Sequence, residues 1–374
     1  MPEFAERQFC SKSVTGSPDT PSSGREQIAG PECAAELPIE ETQMDRVKNI
    51  LVAIDFSPCS AAAFRQAARM AVWNGAAVNV IHVVSIPGFT PGMDSSGPIS
   101  MPAERTLIAN AQRQWDGFAL DCPARAGAQL SIEVGNPREV ILEHVRRDRP
   151  DLLIVGAHST LDAGRAIGST AGALVQRAAS RVVVVREAQS GPFNSIVACV
   201  DFSDGSMAAL EQAVRIGAQD GAAVQVLTVY DDPWCGVAIP MQIQTNMPDF
   251  PVRYARAVED RLRAFCEPLA HELGALKAGY HVRKAQNHGE GIIAFIQSAG
   301  CDLAVLGTRG RANLRDFFWG STAERVVRDC PCSVLAVKPP GFVQLESYQP
   351  FAQAEVAQAT GRGLAAAGAR AMRL

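Results

Sequence analysis

Short apolar runs alternate along this chain with segments of helical period. The first run is Ile50-Leu51-Val52-Ala53-Ile54, ended by Asp55. A run this short, bounded by polar residues, reads as a strand buried on both faces. Phe56-Ser57-Pro58 then opens a helix whose predicted apolar face is Phe64, Ala67, Ala68, Ala71 and Val72, and Asn74-Gly75 closes it. A second strand is expected over 78–84, followed by a Pro/Gly-rich loop (85–102) and a polar helix near 103–118. A strand at 129–134, a short helix, an apolar strand at 152–155 and a last strand at 182–185 complete the unit.

The same order is then written again. Residues 194–230 repeat 48–84 without a gap, at an offset of 201 − 55 = 146. Asp201-Phe202-Ser203 stands for Asp55-Phe56-Ser57, and the second helix face is Leu210, Ala213, Val214, Gly217 and Ala218. The second copy continues with a loop at 231–251 and a helix over 252–273 that Pro268 should bend. Strands follow at 280–284, 303–306 and 334–337. A repeat of this length is two copies of a domain, since solenoid repeats recur every roughly 20–50 residues. Strand–helix alternation implies a parallel sheet covered on both faces. The predicted fold is therefore α/β: two tandem doubly wound domains, 46–188 and 192–340, each with a five-stranded parallel sheet. The linker 187–193 is short, so the domains should pack together or swing little. Residues 1–45, rich in Ser, Pro, Thr and Gly, read as a disordered N-terminal extension, and 341–374 as a C-terminal tail. The two long loops suit lids or interface segments.

Composition narrows the partners. Of 374 residues, 39 are acidic and 35 basic, with no sustained basic run, so no nucleic-acid partner is expected. No apolar segment approaches the ~20 residues that span a bilayer, and the first residues lack the basic start and apolar core of a signal peptide. A cytoplasmic protein without membrane contact is expected. The ten cysteines are scattered and read as reduced thiols. Cys330-Pro331-Cys332 is the one close pair, and neither it nor the six histidines has the spacing of a metal site. His144, beside Ile141 and Val145, reads as a satisfied, half-buried side chain.

The stretch that carries chemistry is Gly307-Thr308-Arg309-Gly310 with Gly320-Ser321-Thr322, between a predicted strand and a predicted helix. Its spacing is G-x2-G-x9-G-[ST], unlike the G-x4-G-K-[ST] of a P-loop. Two glycines three apart would let backbone approach a ligand closely. The third would bring Ser321, Thr322 and the N–H groups of a helix start to the same place, which suits an anion, phosphate above all. The alternative is a glycine turn whose Ser321–Glu324 capping box already satisfies the helix start.

This spacing is similar to the nucleotide loop of the universal stress protein family. The flanks Gly320-Ser321-Thr322-Ala323-Glu324-Arg325-Val326-Val327 and Cys330-Pro331-Cys332-Ser333-Val334-Leu335-Ala336-Val337 resemble that family's last helix and strand. The resemblance covers about residues 46–340 and implies an adenine-nucleotide alpha-hydrolase-like fold that binds ATP with Mg2+. Carried over by position, Asp201 and Val229 would contact adenine, and Gly307, Gly310, Gly320, Ser321 and Thr322 ribose and phosphates. Arg309 is added on charge grounds, a solvated surface role being its alternative, and Asp201 could also be a helix cap. In an open parallel sheet ligands bind beyond the strand C-termini where strand order reverses, so Asp201 and the glycine loop should face one crevice.

The first copy departs from the pattern. Ser159 replaces the second glycine, and Gly168-Ser169-Thr170 arrives after 168 − 156 = 12 residues against 320 − 307 = 13. The shorter loop should shift the third glycine, although Gly164 could let it recover. Asp55, Val83, Gly156, Gly168, Ser169 and Thr170 would then form a weak site or one for another ligand. Gln286-Asn287-His288-Gly289 also departs from the family's usual loop. The expected function is a stress-response regulator or sensor binding ATP through its second domain, with occupancy altering dimerisation or contact with protein partners. Family members commonly dimerise through the last strand, here 333–337; a tandem chain can satisfy that pairing internally, leaving a monomer with an internal pseudo-dimer, or can form a homodimer. The alternatives are a slow ATPase, against which no nucleophile–base pair is found, and a module for another ligand with a structural glycine loop.

Overall fold

The computed structural model describes residues 47–85, 101–118, 122, 127–159, 167–231, 249–309, 320–339 and 342. The N-terminal extension, the tail beyond 342, most of both long loops, Gly164 and Gly310 lie outside them. The first half runs β1 (Asn49–Ile54), α1 (Pro58–Asn74), β2 (Ala77–Val84), α2 (Met101–Gly117), β3 (Gln129–Val134), α3 (Pro137–Asp148), β4 (Leu152–Gly156), α4 (Ser169–Arg177) and β5 (Arg181–Val185). The second runs β6 (Ser195–Cys199), α5 (Asp204–Asp220), β7 (Ala223–Tyr230), α6 (Phe250–Cys266) and α7 (Ala270–Ala275), then β8 (Gly279–Lys284), α8 (His288–Ala299), β9 (Leu303–Gly307), α9 (Ser321–Asp329) and β10 (Ser333–Val337). Pro268 does interrupt its helix: a 3-10 turn, Glu267–Leu269, separates α6 from α7, as expected where a proline N–H is missing.

Each half contributes five parallel strands, and the two sets join edge to edge. The order is β3-β2-β1-β4-β5-β10-β9-β6-β7-β8, and the β5–β10 pairing is antiparallel. The register Val334↔Val184, Leu335↔Val183, Ala336↔Val182 centres a pseudo-twofold axis on Val183 and Leu335. Both strands are all but fully apolar and buried. Left alone each would be an open edge with unpaired backbone, and the seam removes both edges. Apolar side chains pack on both faces of the sheet. One layer holds Phe64, Trp115, Leu210 and Leu262, the other Ile141, Leu174, Ile292 and Val326.

Helices α1 and α5 start and stop alike because their sequences do. Ser57 and Ser203 cap the N-termini, accepting from the N–H groups of Ser60 and Ser206; Gly75 (φ 66°) and Gly221 (φ 65°) supply the left-handed C-caps. Their buried faces differ from expectation at one equivalent position. Val72 is 82 % exposed, and Ala218 is exposed as well. Eight residues carry position 72 about 80° past Phe64 around the helix. The face turns instead toward Gln66, Met70 and Ile216, all buried, because each helix also leans on the other half. Across the pseudo-twofold axis Arg69 meets Asp220 at 2.5 Å, and Arg215 donates to Asn74 Oδ1 at 2.9 Å. Buried Gln66 donates to the linker carbonyls of Gln189 (3.2 Å) and Gly191 (2.5 Å), and Phe193 N donates to Asp220 (2.7 Å). The linker is pinned, as its shortness suggested.

His144 is buried and satisfied by Glu133 (2.5 Å) and Asp148 (3.2 Å). Seven described cysteines are free and buried; Cys330 and Cys332 place their sulfurs 3.3 Å apart. Among the described residues no group of three metal-ligating side chains converges, and no helix is long and apolar enough to cross a membrane.

Candidate functional site

Strand order reverses between β6 and β9, with β7 on the far side of β6. Cys199 pairs with both Leu306 and Leu227. Two residues further on, Asp201 and Thr308 therefore stand beyond the carboxyl ends of β6 and β9, level with Val229 near the end of the longer strand β7. Asp201 is exposed, and its Oδ1 accepts from Ser203 N (3.1 Å) and Ser203 Oγ (2.5 Å). It does not cap α5 itself. It braces Ser203, which forms a capping box with Ser206. Val229 is half-buried, and its Cγ1 would lie 2.9 Å from a Cβ on Gly291, so α8 closes directly over it. The divergent segment before α8 has a local role: Asn287 caps the helix by accepting from Glu290 N (3.1 Å).

The residue between Asp201 and Ser203 was not singled out by sequence reasoning. Phe202 has φ 65° and Phe56, its counterpart, φ 61°. A bulky residue in the left-handed region costs about 1–2 kcal/mol. The repeated Asp-Phe-Ser is the signal that could have pointed to it. The strained turn reverses the chain within three residues, leaving the carboxylate at the crevice mouth. The Phe202 ring is held between Arg261 (4.2 Å) and Phe265 (5.7 Å).

The three glycines of the loop have different physical reasons. A Cβ on Gly307 would sit 3.0 Å from the Gly205 backbone, so strand-to-helix packing by itself requires a glycine here. The same holds for Gly156 against Cys59, at 2.9 Å. Gly310 lies outside the described residues. Gly320 has φ −62° and ψ 134°, which any residue adopts, and the nearest atom to its Cβ position is Thr308 O at 3.7 Å. Its dihedral angles do not call for glycine, and among the described residues a Cβ there would meet only ordinary van der Waals contact.

That helix start carries no side-chain cap. Gly320 is the N-cap, which places exposed Ser321 and half-buried Thr322 at the first two helical positions. The alternative reading, a Ser321–Glu324 capping box, does not hold, because such a box needs the hydroxyl at the N-cap itself, one residue earlier. Gly320 N donates to Thr308 O (3.2 Å) and closes the loop's neck. Exposed Arg309 follows the neck, its guanidinium 5.2 Å from the Phe342 ring. Lys338, unforeseen from sequence, lies on the same ring at 4.8 Å and is buried. Burial, with Arg309 adding to it, pushes its ammonium down to about 7.

The first half repeats this frame. Asp55 Oδ1 accepts from Ser57 N (3.0 Å), Val83 is buried, and Gly168 N donates to Ala157 O (2.7 Å). Gly168 is an N-cap without a side-chain bond, and Ser169 and Thr170 open α4. The third glycine is thus not displaced by the shorter loop, because the neck hydrogen bond anchors it. The contents of the crevice do differ. Cys59 and His158 occupy the positions of Gly205 and Arg309, with the sulfur 3.6 Å from His158 Nε2. Burial pushes the Cys59 thiol up.

A sequence model of the universal stress protein family matches residues 46–186 and again 192–338. Universal stress protein E of Photorhabdus laumondii is 23 % identical over 319 residues, covering 80 % of this chain and 97 % of that protein. Universal stress protein A homolog 1 of Coxiella burnetii is 28 % identical over 138 residues, 37 % of this chain and 95 % of its own length. Among solved structures, a universal stress protein from Archaeoglobus fulgidus superposes with a TM-score of 0.54 at 15 % identity, over 78 % of this chain and 98 % of that one. A functionally unknown protein of Pseudomonas aeruginosa PAO1 gives 0.53 at 17 % identity, over 79 % and 94 %. At those identities the structures speak for the fold alone. With its two tandem matches and its doubled parallel sheet, the chain belongs to the universal stress protein family.

Proposed function

We propose that the second half binds a nucleoside triphosphate, ATP with Mg2+, and that the protein acts as a stress-response regulator or sensor. The observation that carries this is Gly320. A glycine that its dihedral angles do not require, and that no described residue crowds, sits at the uncapped start of α9 beside Ser321 and Thr322. Backbone N–H groups and a helix start receive phosphate there. Arg309 adds positive charge, while Asp201, with one oxygen used in its turn, and Val229 suit a sugar or base at the strand ends. Mg2+ would come with the nucleotide, since no cluster of ligating side chains waits for it among the described residues. Among the described residues of the crevice no nucleophile is paired with a base, and binding is the role these residues fit.

A second reading, a structural glycine loop, is favoured by Gly307, whose glycine is explained by packing on α5. Calorimetric titration of the full chain with Mg-ATP separates the two. One bound nucleotide per chain is expected, with Gly320→Ala lowering affinity at least tenfold, about 1.4 kcal/mol, and leaving stability within about 0.5 kcal/mol. Unchanged affinity in that variant, or no binding by the wild type, removes the nucleotide reading.

A further inference from the structure

Lys338 follows β10, yet its ammonium reaches the other half. Nζ donates to Val175 O and lies 3.4 Å from Gln176 O, at the carboxyl end of α4. The pseudo-twofold axis supplies the reciprocal contact. Arg186, which follows β5, donates to Cys330 O (2.5 Å) at the carboxyl end of α9. Each half thus sends a cation to the carbonyl end of the other half's last helix, where the helix dipole favours it. The amino ends of those same helices are the starts at Gly168 and Gly320. The residue before Gly168 reaches the other half too, since Ile167 N donates to Arg328 O (3.4 Å).

Lys338 is therefore shared between two places. On one side it caps α4. On the other it lies on the Phe342 ring that also carries Arg309. Among the described residues neither cation has a carboxylate partner. An anion held near Arg309 would relieve the repulsion between the two cations, and an ammonium that burial pushes down to about 7 would respond to that relief.

We propose that Lys338 makes the first half the regulatory partner of the second-half crevice, so that an anion bound at Arg309 and the start of α9 alters the carboxyl end of α4. This rests on the anion-binding reading of that crevice. Lys338 acts here as a positioning residue. By linkage the effect is reciprocal, so weakening the Lys338 contact changes affinity in the crevice.

The test is amide hydrogen exchange on the full chain, with and without saturating Mg-ATP, following residues 321–329 and 169–177. In the wild type both segments should slow. In Lys338→Met the first should still slow and the second should not, with affinity shifted about fivefold or more. Lys338→Arg, which borrows the solution of Arg186, should restore the response of α4. Protection of 321–329 in the wild type with α4 unmoved overturns the coupling, as does a response of α4 retained in Lys338→Met. The wild-type comparison decides even if the methionine variant does not fold. Inorganic pyrophosphate serves as the second probe. A coupled response to pyrophosphate but not to ATP keeps the coupling and removes the nucleotide; no response to either overturns both.

Discussion

At the first turn of its first helix each half makes a different choice. The second half has Gly205 in α5, and the backbone of the glycine loop comes close, with Arg309 O 3.2 Å from where a Cβ would be. The first half has Cys59 in α1, and its side chain and His158 meet in that space. The strand register, the neck hydrogen bond, the capping serine and the strained phenylalanine are common to both. Among the described residues one repeated backbone therefore carries two crevices of different chemistry, and the difference lies in the side chains at the loop neck.

The seam is the strongest place to break the equivalence. Asp220, fully buried, accepts from Arg69 and from Phe193 N, whereas its counterpart Asn74 accepts from Arg215 as a neutral amide. Asp220→Ala should cost about 3 kcal/mol, because a cation and a buried N–H are left without their partner. Asn74→Ala should cost only about 1 kcal/mol. Equal losses in urea unfolding of the two variants would mean that the charge does not distinguish the two contacts.

A smaller effect is expected at Gly307. Its alanine variant forces a Cβ onto the Gly205 backbone and should lose about 2 kcal/mol of stability, read as a drop in midpoint by the same unfolding assay. Gly156→Ala, crowded by Cys59, should behave alike. A stable Gly307→Ala would show that α5 can retreat from the strand, and the packing explanation would fail.

The finest probe transplants one crevice into the other. Gly205→Cys places the first half's side chain in the second and should weaken Mg-ATP binding about fivefold, roughly 1 kcal/mol, with a stability loss of about 1 kcal/mol. Calorimetry on this variant showing full affinity would indicate that Cys59 is not what sets the first crevice apart.

Much of this was legible along the chain. The strands fell within a residue of their predicted ends, most plainly the central runs such as 152–155 and 303–306, since a strand buried on both faces has no polar alternation to blur it. Ser57 and Ser203, with Gly75 and Gly221, announce two helices locally. Val72 was misjudged because helical period says which residues share a face, but not how wide that face becomes when a second half packs beside it. The alternative cap at Ser321 fails because Gly320 is the N-cap, a shift of one residue that only the backbone reveals.

The sequence by itself determined that the chain holds two copies of one α/β unit, where their strands and helices lie, and that a glycine loop stands at the end of the fourth strand in each. Those features follow from residues close to one another in the chain. Tertiary structure decided that the last strands pair antiparallel, that packing requires the glycine at 307, that Cys59 meets His158, and that Lys338 caps a helix of the other half. Each of these joins residues far apart in sequence, and whether two such groups meet depends on the register and close packing of the whole sheet, which local pattern does not encode.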